Sequence, residues 1–195
     1  PLFIFKQWLA RMLILRPIPS QIKGDSEQET LQPESGVTDF GAWFWALTGQ
    51  YPAAYTKIDE YLKQVMPDLK DVQNLAVGKD SKSLIVQFST PQGSMKLPFE
   101  DLSDGEKCFM ICALVLAANN SYGPLLCFWD EPDNYLALSE VGHFVMALRK
   151  VFQTGGGQFI ATSHNSEAIS RFSDENTLVL HRKNHLEPTR VQVLS

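Results

Sequence analysis

Two short apolar runs, each followed directly by polar residues, constrain the fold of this chain more than any other feature. Residues 125–129 form an unbroken apolar run that ends at an Asp-Glu pair, and residues 158–162 form a second run that ends two positions before a histidine. An unbroken apolar run of this length is typical of a strand buried on both faces of a parallel sheet. A helix is predicted between the runs, over residues 139–152, and strands alternating with helices indicate a layered α/β fold.

A polar turn lies ahead of these two strands and opens another helix. Ser103 is a suitable N-cap and Glu106 stands three residues later, which is the pattern of a capping box. A helix N-terminus offers free N–H groups and the positive end of the helix dipole, and Gly105 allows close approach of a ligand to the backbone. The turn therefore suits a phosphate group, although the same residues also suit an ordinary helix cap.

The Asp-Glu pair stands where α/β sheets bind their ligands, at the carboxyl end of a strand. Because the chain turns there, one of the two carboxylates can reach the water shell of Mg²⁺ while the next faces an attacking water. Taken alone, an Asp-Glu-Pro sequence is a common turn and a histidine at a strand end is commonly structural. The order of the three motifs favours a functional site over these simpler explanations.

In this order the turn at residues 103–107, the strand that ends in Asp130-Glu131-Pro132, and the strand that precedes His164 resemble the ATP-binding cassette (ABC) ATPases. The resemblance covers the chain from residue 102 onward, and it is to the soluble branch related to RecF, SMC and OLD proteins. It implies the C-terminal lobe of an ABC-type P-loop ATPase, with a mainly parallel sheet and a helical and β-hairpin insert on its N-terminal side.

The resemblance also implies roles for individual residues. Asp130 would hold Mg²⁺ through water, Glu131 would polarise the attacking water, and His164 would contact the γ-phosphate of ATP. The signature turn, which comprises Ser103, Asp104, Gly105 and Glu106, would close over ATP held by a partner, and this implies a head-to-tail dimer with two ATP molecules.

The segment at residues 132–136 matches the D-loop, in which Asn134 would contact the partner. The sequence departs from the family at Asp104, where many members have Gly, and at Ala137-Leu138, where many relatives continue with His-Pro. The second departure weakens a subfamily assignment but changes no hydrolytic group.

The sequence lacks a phosphate-binding loop of the form G-x-x-x-x-G-K-[ST], whose backbone N–H groups and Lys hold the phosphates. The one Gly-Lys pair, Gly78-Lys79, is followed by Asp80 and has Gln73 at the position of the first Gly. We therefore expect this chain to be the C-terminal part of a longer ATPase and to be inactive alone. The phosphate loop is expected on a missing N-terminal lobe.

Composition limits the function classes further. A chain of 195 residues with 44% hydrophobic content can form one compact unit, and its net charge of −5 argues against a generally basic surface for coating nucleic acid. The three cysteines lie in apolar contexts without a CxxC pair, which favours a reduced, cytoplasmic setting. The apolar opening segment is interrupted by Lys6, Gln7 and Arg11, so no membrane span is predicted.

The remaining predictions concern organisation. Residues 1–101 are predicted to form a helical and hairpin lobe leading to the signature, and residues 102–195 the signature, Walker B and switch-histidine part. Residues 1–15 are predicted to form a largely buried amphipathic helix that ends at Arg16-Pro17. Further predicted elements are a loop at 20–37, helices at 39–47 and 53–66, a hairpin at 84–88 and 95–97 with a third strand at 74–77, and final strands at 177–181 and 189–194.

The function predicted from these observations is an ATP- and Mg-dependent ATPase of DNA maintenance or phage defence. Its expected partners are a second copy, the missing lobe, and either a nucleic acid or an effector nuclease. Two alternatives remain open: a nucleotide-dead interaction module and the nucleotide-binding domain of a transporter. A metal nuclease is disfavoured because the additional carboxylates of two-metal sites are missing.

Overall fold

A computed structural model describes residues 2–172 and 177–194. Its helices are α1 Leu2–Leu9, α2 Phe40–Gln50, α3 Ala53–Val65, α4 Asp104–Tyr122, α5 Leu138–Gly155 and α6 Ser166–Phe172. Its strands are β1 Met12–Leu15, β2 Leu69–Val77, β3 Ser81–Thr90, β4 Gly93–Pro98, β5 Leu126–Asp130, β6 Gln158–Thr162, β7 Leu178–His181 and β8 Arg190–Val193.

The predicted α/β fold with a parallel sheet is confirmed. Strand β5 lies in the middle of a three-stranded sheet and pairs in parallel with β1 on one side and β6 on the other. One face of this sheet is buried: Cys127 and Trp129 are fully covered, and the Trp129 ring packs edge-on against Phe144 of α5 with the centroids 5.5 Å apart. The carboxyl ends of all three strands therefore lie on the same edge of the sheet.

The opposite face of the parallel sheet is largely uncovered by the described part of the chain. Ile14, Phe128 and Ile160 lie opposite one another in register across the three strands. Ile14 and Ile160 are each 52% exposed, and Phe128 is half-buried. The prediction that residues 125–129 are buried on both faces is therefore wrong for the described part of the chain, because side chains alternate between the two faces and only one face is covered.

Helix α4 is the central element of the core. It packs against α2, α3 and α5, and its buried residues surround its whole circumference from Lys107 to Asn119. The predicted capping box is confirmed: the Ser103 N–H donates to Glu106 Oε2 at 2.7 Å, and the Glu106 N–H donates to Ser103 Oγ at 3.3 Å. A helix that is apolar on every side needs neighbours on every side, which explains its position.

The predicted hairpin and third strand are confirmed as an antiparallel meander in the order β2-β3-β4. Gly78 and Lys79 lie in the tight turn between β2 and β3, with Gly78 at a φ of +77°. After β4 the buried ring of Phe99 stacks on Phe40 of α2 at a centroid distance of 4.6 Å. The meander thereby joins the helices of the N-terminal half.

The prediction for residues 1–15 is wrong in two respects. The helix ends at Leu9 and has no buried residue, so its apolar side chains do not pack into the core. Residues 12–15 form strand β1, which is part of the parallel sheet through its pairing with β5. A four-residue strand is too short for periodicity to identify, and its conformation depends on a partner more than 100 residues away in the sequence.

The C-terminal strands are confirmed: β7 and β8 form an antiparallel pair, with Leu178 opposite Val193. Helix α6 was not predicted. Among the described helices, none is both long and apolar enough to cross a lipid bilayer. The division of the chain at residue 101 stays a prediction, and β1 from its first part completes the sheet of its second part.

Candidate functional site

Asp130 ends strand β5 at the carboxyl edge of the parallel sheet. Its register partner on β6 is Thr162, whose hydroxyl donates a hydrogen bond to Asp130 Oδ1. On the other side Oδ2 lies 3.5 Å from Nε of Arg16, the residue that follows β1. Residues next to both flanking strands therefore hold the Asp130 carboxylate in place.

Glu131 has a backbone conformation that side chains other than Gly seldom adopt. Its φ is +49°, in the left-handed region, which costs a non-Gly residue about 1–2 kcal/mol. Its N–H donates to the Thr162 hydroxyl oxygen at 3.0 Å, so a single threonine holds both Asp130 and Glu131. Unfavourable backbone conformations of this kind are found mainly at functional sites.

His164 lies beside Glu131, although the two residues follow different strands: Glu131 follows β5 and His164 follows β6. Its Nε2 is 3.5 Å from Glu131 Oε1, and its side chain is 94% exposed. An open cleft of about 240 Å³ lies between the two turns. The residues that line it are Glu131, Asp133, Asn134, Leu136, His164 and Asn165.

Three predicted site residues therefore meet in one cleft: Glu131, His164 and Asn134. Asn134 is exposed, and its N–H donates to the Glu131 carbonyl at 3.2 Å. Asp130 is adjacent to this cleft through its peptide bond to Glu131 and through Thr162. The roles assigned to these residues stay predictions, but their proximity is a property of the fold.

Asp133, which lines the cleft, forms a partly buried hydrogen bond with Ser163. Asp133 is only 5% exposed, and its Oδ2 accepts from the Ser163 hydroxyl at 2.9 Å. Its second carboxylate oxygen, Oδ1, is buried without a hydrogen-bond partner in the described part of the chain. Burial raises the pKa of Asp133 and the nearby Glu131 charge adds to this effect, whereas the bond from Ser163 and the charge of His164 act to lower it.

The signature turn lies at a short distance from this cleft. Ser103 and Asp104 are exposed, and a Cβ placed on Gly105 would lie 3.2 Å from the carbonyl oxygen of Tyr135. The turn thus abuts the D-loop segment, but no described contact joins it to Glu131 or His164. The Glu106 carboxylate is occupied within its own turn by the Ser103 N–H.

The oxygen donors at the strand end fit an indirectly held Mg²⁺. Mg²⁺ keeps several of its waters and is commonly held by one or two carboxylates together with substrate phosphates. Asp130 supplies one such carboxylate, which the Thr162 hydroxyl holds by a hydrogen bond. Within residues 2–172 and 177–194 there is no cluster of three or more His, Cys, Asp or Glu side chains that could hold a metal by itself.

Sequence reasoning missed four residues that shape this site: Arg16, Asp133, Thr162 and Ser163. All four act across the sheet edge, so their importance depends on the parallel register of β5 with its neighbours. The one available signal was that Thr162 and Ser163 are hydrogen-bonding residues at the end of a strand predicted to lie near Asp130. Without the register this signal identifies no partner.

No known protein-family model matches the sequence, and no curated protein matches it. Solved structures of SMC ATPases resemble the fold. One of them comes from work on the ATP-driven dimerisation and DNA-stimulated activation of SMC ATPases. It aligns with a TM-score of 0.59 at 15% identity, over 76% of this chain and 87% of that one.

Two further structures are similar. The Smc head bound to the C-winged helix domain of ScpA gives a TM-score of 0.60 at 16% identity, over 76% of this chain and 44% of that one. The Smc head domain with a coiled coil and joint from Pyrococcus yayanosii gives a TM-score of 0.59 at 16% identity, over 80% of this chain and 28% of that one. This chain thus spans less than half of these two structures, and the likenesses show that it has the fold of an SMC-type ABC ATPase head.

Proposed function

We propose that this chain is the C-terminal part of an ATP-binding and ATP-hydrolysing ABC-type ATPase. The observation that carries the proposal is the meeting of Asp130, Glu131 and His164 at one sheet edge, from two different strands. A carboxylate can accept the proton of an attacking water, and an exposed imidazole can donate a hydrogen bond to a phosphate, so these groups suit hydrolysis of a phosphoanhydride. The likeness to SMC heads supports the same assignment at the level of the fold.

The proposed division of labour follows from the contacts. Thr162 and Arg16 fix the Asp130 carboxylate, which would support Mg²⁺ through its water shell; the ion would neutralise phosphate charge. Glu131 would accept the proton of the attacking water, since its carboxylate opens into the cleft. His164 would donate a hydrogen bond to the γ-phosphate from an imidazole that few contacts restrain.

A second lobe carrying the phosphate loop is the first proposed partner. The apolar row formed by Ile14, Phe128 and Ile160 lies on an uncovered face of the sheet, and β6 forms an unpaired edge in the described part of the chain. A strand and a helix that continued the sheet at this edge would cover both. Without them the chain has no loop able to hold the β- and γ-phosphates.

The second proposed partner is another copy of the complete protein, in a head-to-tail dimer. Ser103 and Asp104 are exposed, and no described contact joins their turn to Glu131 or His164 of the same chain, as expected of a turn that acts on a partner's ATP. Mixing experiments test this arrangement. A subunit carrying Ser103→Arg and a subunit lacking its phosphate-loop Lys should each be inactive, and their heterodimer should regain about one working site.

Hydrolysis itself is tested with Glu131→Gln in the protein that includes the phosphate-loop lobe. Gln keeps the shape of the side chain but cannot take the water proton, so turnover should fall on the order of 10²-fold or more while ATP is still bound. Glu27→Gln, at an exposed loop position, is the matched control and should leave turnover unchanged. Normal turnover in Glu131→Gln would remove this residue from the role of base.

A nucleotide-dead interaction module is the second candidate function. The uncovered sheet face and the absent phosphate loop favour it, since both are also what a docking domain would show. ATP binding by the complete protein separates the two candidates.

We propose that the ATPase is a cytoplasmic protein that acts in DNA maintenance or phage defence. Its candidate partners in that role are a nucleic acid and an effector nuclease.

A further inference from the structure

The cleft is bounded by two turns, and each turn carries residues assigned to a different task. The turn after β5 holds Glu131 and the D-loop residue Asn134, whereas the turn after β6 holds His164. The His164 side chain is 94% exposed, and within residues 2–172 and 177–194 its one polar side-chain contact is the 3.5 Å approach to Glu131. Its position must therefore depend on the neighbours to which it is covalently attached.

Ser163 and Asn165, on either side of His164, are firmly held. The Ser163 hydroxyl accepts the N–H of Asn165 at 3.0 Å while donating to Asp133 Oδ2 at 2.9 Å. The Asn165 side chain accepts the N–H of Glu167 at 2.9 Å and thereby caps α6. The turn that carries His164 is thus fixed to α6 on one side and to Asp133 on the other.

Asp133 is equally well fixed within its own turn. Its carbonyl accepts the N–H of Leu136 at 3.1 Å, and the next residue, Asn134, donates its N–H to the Glu131 carbonyl. Asp133 is 5% exposed, so solvent competes little for its carboxylate. Its hydrogen bond with Ser163 is a partly buried side-chain link between the two turns.

From these contacts we propose that Asp133 is a positioning residue that couples the D-loop to His164 through Ser163. The coupling rests on the proposed ATPase function and deepens it: contact of the γ-phosphate with His164 would be transmitted to the dimer face at Asn134 through the Ser163–Asp133 bond. A carboxylate is suited to this task because it accepts the serine hydroxyl more strongly than a neutral group does. Neither Asp133 nor Ser163 touches the reacting atoms.

The physical link is tested in this chain by amide hydrogen exchange. Ser163→Ala and Asp133→Ala should each raise the exchange rates of the Asn165 and Glu167 amides by about fivefold, the effect of losing one ordinary hydrogen bond. Ser166→Ala is the matched control: its side chain is exposed and makes no hydrogen bond in the described residues, so exchange at Asn165 should not change. If the Asn165 and Glu167 amides exchanged at the same rates in the wild type, Asp133→Ala and Ser163→Ala, the proposed link would be wrong.

The functional coupling is tested in the complete protein by separating kcat from ATP affinity. Loss of the link should lower kcat and ATP-dependent dimerisation about 10-fold or more in Ser163→Ala, because small displacements of positioned groups are costly, and leave the Kd for ATP within about twofold. Ser163→Thr retains the hydroxyl and should restore both. A variant that merely destabilised the fold would not show this rescue together with an unchanged Kd.

The outcomes distinguish this inference from the function on which it rests. If the complete wild-type protein neither binds nor hydrolyses ATP, the proposed function fails and the coupling to ATP fails with it. If the wild type hydrolyses ATP and Ser163→Ala does so at the same rate, the function stands and the positioning role of Asp133 is wrong.

Discussion

At the scale of single residues, the site combines an unfavourable backbone with an unfavourable charge. Glu131 has a positive φ, and Asp133 is a buried carboxylate with one oxygen lacking a hydrogen-bond partner. Neither feature is needed to form the sheet, and each lowers the stability of the fold. Costs of this kind within one turn are typical of a site whose geometry serves a function.

The backbone at Glu131 predicts an inverted order of stability for two small substitutions. Both Glu131→Gly and Glu131→Ala remove the carboxylate, but only Gly accepts a φ of +49° without steric cost. We expect Glu131→Gly to be more stable than Glu131→Ala by about 1 kcal/mol in urea unfolding. At Ser139, in the first turn of α5, the same pair should show the usual order, with Ala the more stable. Equal stability of the two Glu131 variants would contradict the left-handed conformation.

The buried charge of Asp133 predicts a stability that depends on pH. Because burial raises its pKa in the folded state, folding favours the protonated form, and the contribution of Asp133 to stability falls as pH rises from the ordinary pKa of an aspartate through the raised one. Asn does not titrate and can still accept the Ser163 hydrogen bond. Asp133→Asn should therefore be more stable than the wild type at neutral pH by about 1 kcal/mol, and the difference should shrink on acidification.

Urea unfolding of the wild type and Asp133→Asn across this pH range makes the measurement. Asp101→Asn, at an exposed position, is the control for removal of one charge from an acidic chain. A gain in Asp133→Asn that did not decrease at acidic pH would show that the carboxylate is not the cause.

At the scale of elements, local sequence signals identified most of the helices and strands. They failed for an element whose conformation depends on pairing with a strand far away in the sequence. The capping box placed the start of α4, and the two apolar runs placed β5 and β6, because each signal lies within the element it predicts. Strand β1 was missed because four residues carry no usable periodicity and its conformation depends on β5. The same limit applies to the site: Asp130 and His164 follow from the order of motifs, whereas Thr162 and Asp133 depend on the register of two strands.

Asn119 joins α4 to the segments that precede β5 and β6, and it predicts a large local effect. It is buried, its Oδ1 accepts the N–H of Leu125 at 2.9 Å, and its Nδ2 donates to the Gly156 carbonyl at 3.0 Å. Asn119→Ala would leave the N–H of the buried Leu125 without its partner, so we expect a loss of about 1–3 kcal/mol in the free energy of unfolding.

The neighbouring Asn120 supplies the matched control for this experiment. It is exposed at the same end of α4, and Asn120→Ala should change stability by less than about 0.5 kcal/mol. A similar loss in both variants would mean that Asn119 acts only as a polar residue at the end of α4, and that its hydrogen bonds do not hold the starts of β5 and β6.

At the scale of the whole molecule, the described chain has the groups that we propose to act on a bound nucleotide, but its sequence has no phosphate loop to bind one. Gly78 and Lys79 lie in a hairpin turn and not at the start of a helix, so they do not substitute for that loop. We expect calorimetry of this chain with Mg-ATP to detect little affinity, because the loop supplies most contacts to the phosphates. Micromolar binding would contradict the assignment of this chain as the lobe that lacks the loop.

The uncovered row of Ile14, Phe128 and Ile160 also determines how this chain behaves during synthesis. An apolar sheet face beside an unpaired strand is the surface through which partly assembled proteins aggregate, and β6 contains neither proline nor lysine to prevent edge pairing. We therefore expect this surface to promote self-association of the chain until the proposed second lobe covers it. By covering it, that proposed lobe would act as a chaperone for this chain.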